Sequence, residues 1–273
     1  MCSICGCSHG EARVAGEVAG ASQRHDHGMA GSHAHGHSHP HHTHHHDHQH
    51  VHTGETTRLV EIEQNILAKN QIFADENRAL WRGMGLFVLN LISSPGAGKT
   101  SLLVKSLEEL RGRIPLGVIE GDQETSNDAE RIRRTGTPAV QINTGRGCHL
   151  DAHLVGHAAE TLPLVGNGIL FIENIGNLVC PSGFDLGEAR RVVILSVTEG
   201  DDKPAKYPDA FASANVMVLS KCDLLPHVDF DVDAAARYAR DINPDIKIMR
   251  TSTRTAPGIG GWLDWILAER LHA

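Results

Sequence analysis

From residue 86 onward, short uninterrupted apolar runs alternate with longer stretches in which apolar residues return every three or four positions. The runs at 86–92, 115–119, 139–142, 168–172, 192–197, 216–219 and 246–249 are short and continuous, which predicts strands buried on both faces. Between them, Leu102, Leu103, Leu107 and Leu110 set a helical period. Further helices are expected over 149–161, 232–242 and 259–271, and another carrying Asp128, Glu130, Arg131 and Arg133. Such alternation predicts an α/β fold with a mainly parallel sheet covered by helices on both faces and ligands at the carboxyl ends of the strands. Ahead of the first strand, Leu59, Ile62, Ile66, Phe73 and Leu80 fall near a helical period, with Glu61, Glu63, Lys69 and Glu76 on other faces. One long amphipathic helix over 57–81 therefore leads into the domain, and Gly83 and Gly85 end it.

The beginning of the chain carries no such pattern. Cys2, Cys5 and Cys7 form a C-x-x-C-x-C cluster. Three thiolates this close can hold one soft or borderline metal ion without a surrounding fold, with the chain's own amine as a fourth ligand. Tetragonal nickel(II) and tetrahedral zinc both fit; the plainer alternative is a floppy end with incidental cysteines. Next come His25, His27, His33, His35, His37 and His39 among small or polar residues, then the denser His41, His42, His44, His45, His46, His48, His50 and His52. Nothing in this low-complexity stretch can bury a core, so it is expected to be disordered when free of metal. Many imidazoles on a flexible chain suit storage or buffering of nickel, zinc or copper better than catalysis, the plainer alternative being a biased polar linker. The expected organisation is a metal site over 1–10, a disordered His-rich metal-binding segment over 11–53 and an α/β domain with its leading helix over 54–273.

The most informative stretch joins the first strand to the next helix: Leu91-Ile92-Ser93-Ser94-Pro95-Gly96-Ala97-Gly98-Lys99-Thr100. A strand, a Gly-rich turn ending Gly-Lys-Thr and a helix form the phosphate-cradling P-loop, in which backbone N–H groups and a helix N-terminus face the anion. Ser94, Pro95, Gly96, Ala97, Gly98, Lys99, Thr100 and Ser101 are the phosphate-binding candidates, with Lys99 reaching the terminal phosphates and the Thr100 hydroxyl on Mg²⁺. Ser93 stands where the usual pattern has Gly.

Three further groups lie at strand ends or in adjoining loops. Glu173 matches the carboxylate that holds Mg²⁺ through water, Gly176 the glycine whose N–H senses the γ-phosphate, and Asp122 a switch carboxylate near the metal and the attacking water. Lys99, Asp122 and Glu173 are thus the catalytic candidates. In Ser220-Lys221-Cys222-Asp223, an ionised Asp223 would accept from N1–H and the exocyclic amine of guanine while the Lys221 stem covers the base; Thr251 and Ser252 would complete the pocket. Ser220 stands where Asn is usual, and GTP is the expected nucleotide. Cys148, His149 and Cys180, on loops near the nucleotide, make three metal ligands where tetrahedral zinc wants four, leaving water or a second subunit to finish the shell; two small buried hydrophobic cysteines are the alternative. Cys222 is expected to pack beside the base pocket.

Composition narrows the rest. Of 20 histidines, only His149, His153, His157, His227 and His272 lie beyond residue 52. No apolar run spans a bilayer and no signal peptide is evident, so a cytoplasmic protein without a membrane partner is expected. Six cysteines in a reducing compartment favour metal or redox chemistry over disulfides. A formal net charge of −8 offers no electrostatic reason for a nucleic-acid partner.

Taken together, Cys2-x-x-Cys5-x-Cys7, Glu76-Asn77-Arg78, the P-loop, Glu120-Gly121-Asp122, Gly147-Cys148-His149-Leu150, Glu173-Asn174-Ile175-Gly176-Asn177-Leu178-Val179-Cys180-Pro181 and Lys221-Cys222-Asp223 resemble the hydrogenase nickel-incorporation GTPases, the HypB family. The resemblance spans nearly the whole chain, here as a His-rich variant. It implies a P-loop NTPase that hydrolyses GTP and helps deliver nickel to the large subunit of nickel–iron hydrogenase. It also implies an N-terminal nickel site, a second nickel or zinc site at Cys148, His149 and Cys180, nucleotide-linked homodimers and a zinc-carrying accessory partner. A urease-type accessory GTPase and a metal-storage protein with a vestigial nucleotide site are the alternatives.

Overall fold

The computed structural model describes residues 13–14, 17–18, 53–123, 127–164, 166–255 and 258–272. Cys2, Cys5, Cys7 and the histidines between residues 25 and 52 lie outside them. In chain order the elements are β1 (Arg13–Val14), β2 (Glu17–Val18), α1 (Thr53–Gly83), β3 (Phe87–Ser93), α2 (Lys99–Leu110), β4 (Leu116–Asp122), α3 (Asn127–Arg133), β5 (Ala139–Asn143) and α4 (Ala152–Glu160). There follow β6 (Ile169–Gly176), β7 (Arg190–Ser196), α5 (Lys203–Lys206), α6 (Pro208–Ala212), β8 (Val216–Ser220), α7 (Val232–Ile242), β9 (Lys247–Arg250) and α8 (Gly260–Arg270).

The strands form one sheet in the order β2-β1-β5-β4-β6-β3-β7-β8-β9. All pairings from β5 to β9 are parallel, and β1 joins β5 antiparallel. The central strands are continuous apolar runs because each face of the sheet is covered. In β3, Phe87, Leu89 and Leu91 pack with α2 and α8 residues such as Leu103, Leu107, Trp262 and Ile266. Their neighbour Val88 turns to the opposite face, with Trp81 of α1 and Val155 and Ala158 of α4. Further along that second face, Ile92 meets Phe211, Ala235 and Ala239.

The leading helix departs from the apolar stripe expected of it. Ile62, Ile66 and Leu80 are exposed, whereas Asn70, Ala74, Asn77 and Trp81, one helical face, are buried. The two asparagines explain the docking. Asn70 Nδ2 donates to the Asp185 carbonyl at 2.7 Å and its Oδ1 accepts from Ala152 N at 2.8 Å, while Asn77 Nδ2 donates to the Ala152 carbonyl at 2.8 Å. Asn70 Oδ1 thereby satisfies the Ala152 N–H, one of the donors at the start of α4 that has no partner within the helix. A second difference is α4 itself, which starts at Ala152, not residue 149. Asp151 caps it by accepting from Leu154 N at 2.9 Å, and this leaves Cys148 and His149 on the preceding loop.

Candidate functional site

The seven parallel strands bring their carboxyl ends to one edge, and the centre of that edge is the turn between β3 and α2. Gly96 (φ +74°) and Gly98 (φ +93°) take left-handed conformations that side chains disfavour, which lets the turn curl over the N-terminus of α2. Ser93 is accommodated without strain, its buried hydroxyl donating to the Ser94 carbonyl at 2.8 Å. Lys99 Nζ lies 2.9 Å from Glu173 Oε1, and the Thr100 hydroxyl donates to the same oxygen at 2.6 Å. Asp128 Oδ2 stands 3.0 Å from the Thr100 hydroxyl, and Arg131 bridges from Asp128 to Ser101 Oγ.

Register places Glu120 of β4 directly beside Glu173 of β6. Both are almost completely buried, and each leaves one carboxylate oxygen, Oε2, without a hydrogen-bond partner. Burial, reinforced by the charges of Glu173 and Asp122, raises the Glu120 pKa to about 8 despite the opposing pull of Lys99. Two orphaned buried oxygens beside a threonine hydroxyl and further acids form an all-oxygen donor set, which fits a hard divalent cation such as Mg²⁺.

A testable consequence concerns the nucleotide-free and metal-free chain. The folded state holds a Glu120 proton that the unfolded chain releases near pH 4.5. Stability is therefore expected to fall as pH rises from about 4.5 to about 8, by about 1.4 kcal/mol per pH unit from this group, and to level off above. Glu120→Gln should remove that component, read from urea unfolding midpoints of both chains between about pH 5 and 8. Parallel pH profiles for the two chains would contradict the assignment.

β6 carries Glu173 near its end, finishes at Gly176 and leads into a connection that ends at Cys180, the first residue of a short 3-10 helix. A Cβ on Gly176 would stand only 3.2 Å from Pro95 Cα, so the strand end lies against the phosphate turn. Asn177 pairs back to Ser93, and its side chain accepts from Val179 N at 2.8 Å. On the neighbouring loop, Thr144 Oγ1 donates to the Gly147 carbonyl at 2.9 Å, and Leu150 N reaches Asn174 Oδ1 at 3.4 Å. These contacts bring Cys148, His149 and Cys180 together, half-buried, with all three ligand atoms within 4.8 Å of one another. Cys148 Sγ and His149 Nδ1 are 3.7 Å apart, close to the ~3.5 Å that tetrahedral zinc imposes between sulfur and nitrogen ligands. The His149 ring stacks on Phe184 at 3.9 Å, and burial lowers its pKa against the opposing charge of Asp151, favouring the neutral, metal-binding imidazole.

The candidate base-reading residues meet the phosphate turn from the other side. Ser220 Oγ donates to the Ala97 carbonyl at 2.5 Å and Lys221 Nζ to the Gly96 carbonyl at 2.7 Å. Asp223 Oδ1 accepts from Ser252 Oγ at 2.7 Å, which fixes the carboxylate. Thr251 turns its hydroxyl inward to the Leu219 carbonyl at 3.2 Å, so of that pair Ser252 is the one whose hydroxyl meets Asp223. Cys222 follows on the same segment, with Sγ 3.2 Å from the Leu219 carbonyl.

Residues 87–250 match the family described as CobW/HypB/UreG, nucleotide-binding domain. Hydrogenase maturation factor HypB of Azotobacter chroococcum is 52% identical over 99% of this chain and 93% of its own length. The chain belongs to the HypB family. The Escherichia coli K12 HypB is 54% identical over 78% of this chain and 73% of its own length. Among solved structures, HypB from Archaeoglobus fulgidus (TM-score 0.69, 38% identity) covers 74% of this chain and 99% of its own. HypB from Helicobacter pylori in complex with nickel (TM-score 0.71, 37% identity) covers 75% and 96%.

Within this HypB fold, three residues join the candidate site that sequence reasoning did not assign to it. Glu120 was visible as an acid closing an apolar strand. Asp128 arrives through the packing of α3, and no sequence signal marks it. Lys203, which opens α5, reaches Ser94 Oγ at 2.9 Å. Among the described residues no helix is long and apolar enough to cross a membrane.

Proposed function

We propose that this chain is a GTP-hydrolysing nickel chaperone of nickel–iron hydrogenase maturation, in which the phosphate state of the nucleotide governs a metal site at Cys148, His149 and Cys180. The observation that supports it most is the short path from Gly176, against the phosphate turn, to Cys180 of the metal triad. The family and the nickel complex of the Helicobacter pylori relative support the choice of cargo. Phosphates sit on the backbone of 94–98 and the N-terminus of α2, and Lys99 leaves Glu173 to meet the terminal phosphate. Thr100, Glu173 and Asp122 would hold Mg²⁺, which would supply charge neutralisation when bound. Asp122 orients the attacking water, and Asp223 reads guanine with the Lys221 stem over the base. Loss of the γ-phosphate releases the Gly176 N–H, and the strain passes along 177–179 to the Cys180 ligand.

Three ligands leave the metal shell open, so a second copy completes it in a nucleotide-linked homodimer. Its partners in the cytoplasm are a zinc-carrying nickel accessory protein and the hydrogenase large-subunit precursor. The Cys2, Cys5 and Cys7 cluster and the His tract bind nickel or zinc, the latter as a store. Replacing the histidines of 25–52 by serine should therefore sharply reduce the nickel bound while leaving GTP turnover intact. Cells with this variant should mature hydrogenase in nickel-rich medium and fail under nickel limitation. A defect that persists in rich medium would contradict a storage role.

A further inference from the structure

His153 and His157 stand one turn apart on the exposed face of α4, outside the Cys148, His149 and Cys180 triad. Their Nε2 atoms are 3.2 Å apart. Metal–imidazole bonds of about 2.0–2.1 Å place two nitrogen ligands about 2.9 Å apart at a right angle and about 3.4 Å apart at a tetrahedral angle. The observed spacing falls inside that interval without any movement of the helix. Two further observations point to a ligand. Glu160 Oε2 lies 3.4 Å from His157 Nδ1, the outer carboxylate contact that fixes a metal-binding histidine with Nε2 facing the ion. On the other ring, Phe73 of α1 packs against His153 at 4.6 Å between centroids and limits its orientation.

We infer that His153 and His157 form a bidentate site for a borderline divalent cation, Zn²⁺ or Ni²⁺, distinct from the triad. Its position gives it a use that rests on the nickel reading proposed above. His153 and His149 line the same cavity of about 270 Å³, together with Phe73, Asp151 and Phe184. A metal ion held by two imidazoles, with water in its remaining positions, binds weakly and exchanges readily. Such an ion, held partly by a residue of that cavity, is placed to pass to the three-ligand site, where thiolates hold it more firmly.

The test needs a readout that resolves individual histidines, because the His tract dominates any bulk titration. In the full-length chain, diethyl pyrocarbonate modification is followed by peptide mass spectrometry while Zn²⁺ is added past one equivalent per histidine. His153 and His157 should become protected together. In either H153A or H157A, the zinc concentration that protects the remaining partner should rise at least about tenfold, since the chelate is lost. Protection should persist in C148A/C180A, which separates the pair from the triad and lets the site stand even if nickel never enters there. Labelling of both histidines unchanged by zinc, or protection that vanishes in C148A/C180A, would overturn the inference. E160Q should weaken protection of His157 without exposing it fully.

Discussion

Replacing Lys99 by alanine is expected to slow GTP turnover by on the order of 10²–10³-fold, since phosphoryl transfer depends mainly on positioning and electrostatic stabilisation. The ammonium group is held 2.9 Å from Glu173 Oε1, with the lysine and glutamate side chains only 11% and 1% exposed. A charge kept in a site so poorly solvated acts on a phosphate far more strongly than it would in water. The same burial means that Lys99→Ala leaves the Glu173 carboxylate with the Thr100 hydroxyl but no cation beside it. Breaking a buried pair from one side costs about 3–5 kcal/mol, so turnover must be read well below the lowered unfolding midpoint. Lys99→Arg keeps the charge and should recover stability more than rate, because its fork cannot occupy the same point beside the turn. Turnover of Lys99→Ala within a few-fold of the parent would contradict the role.

Asp223→Asn should weaken GTP by about 1.5–3 kcal/mol, roughly 10- to 150-fold, while favouring xanthosine triphosphate. The amide offers a donor where guanine also presents one, and xanthine replaces that amine by a carbonyl. The carboxylate is already fixed by Ser252, so little of the effect goes to ordering the side chain. Calorimetric titration of both nucleotides into both chains measures the exchange. Unchanged GTP affinity would show that guanine is read elsewhere.

Much of this architecture was legible where chemistry and burial point the same way. β3 could be read because a strand covered on both faces must be apolar throughout, and the Gly-Lys-Thr turn because few residues satisfy its backbone. The docking face of α1 was hidden, since Asn70 and Asn77 bury polar groups to satisfy the start of α4 while Ile62 and Leu80 remain exposed. α5 and α6 are too short for a period to emerge, and each begins with a proline in its first turn that reads as a loop. In the site, Asp128 and Lys203 depend on how separate elements pack, which no local pattern encodes. Ser220 departs from the usual letter, and the structure gives it a task of its own in holding the Ala97 carbonyl.

The nucleotide and the inner metal are expected to read one another, and reciprocity makes the coupling measurable from either side. The direct measurement is nickel affinity in the full-length chain with Cys2, Cys5 and Cys7 replaced by alanine, followed by thiolate-to-nickel charge-transfer absorption, to which the His tract does not contribute. With GDP and with a non-hydrolysable GTP analogue, the midpoints should differ by about tenfold, equivalent to about 1.4 kcal/mol of coupling. Identical midpoints in the two nucleotide states would rule the coupling out and leave the Cys148, His149 and Cys180 site independent of the nucleotide.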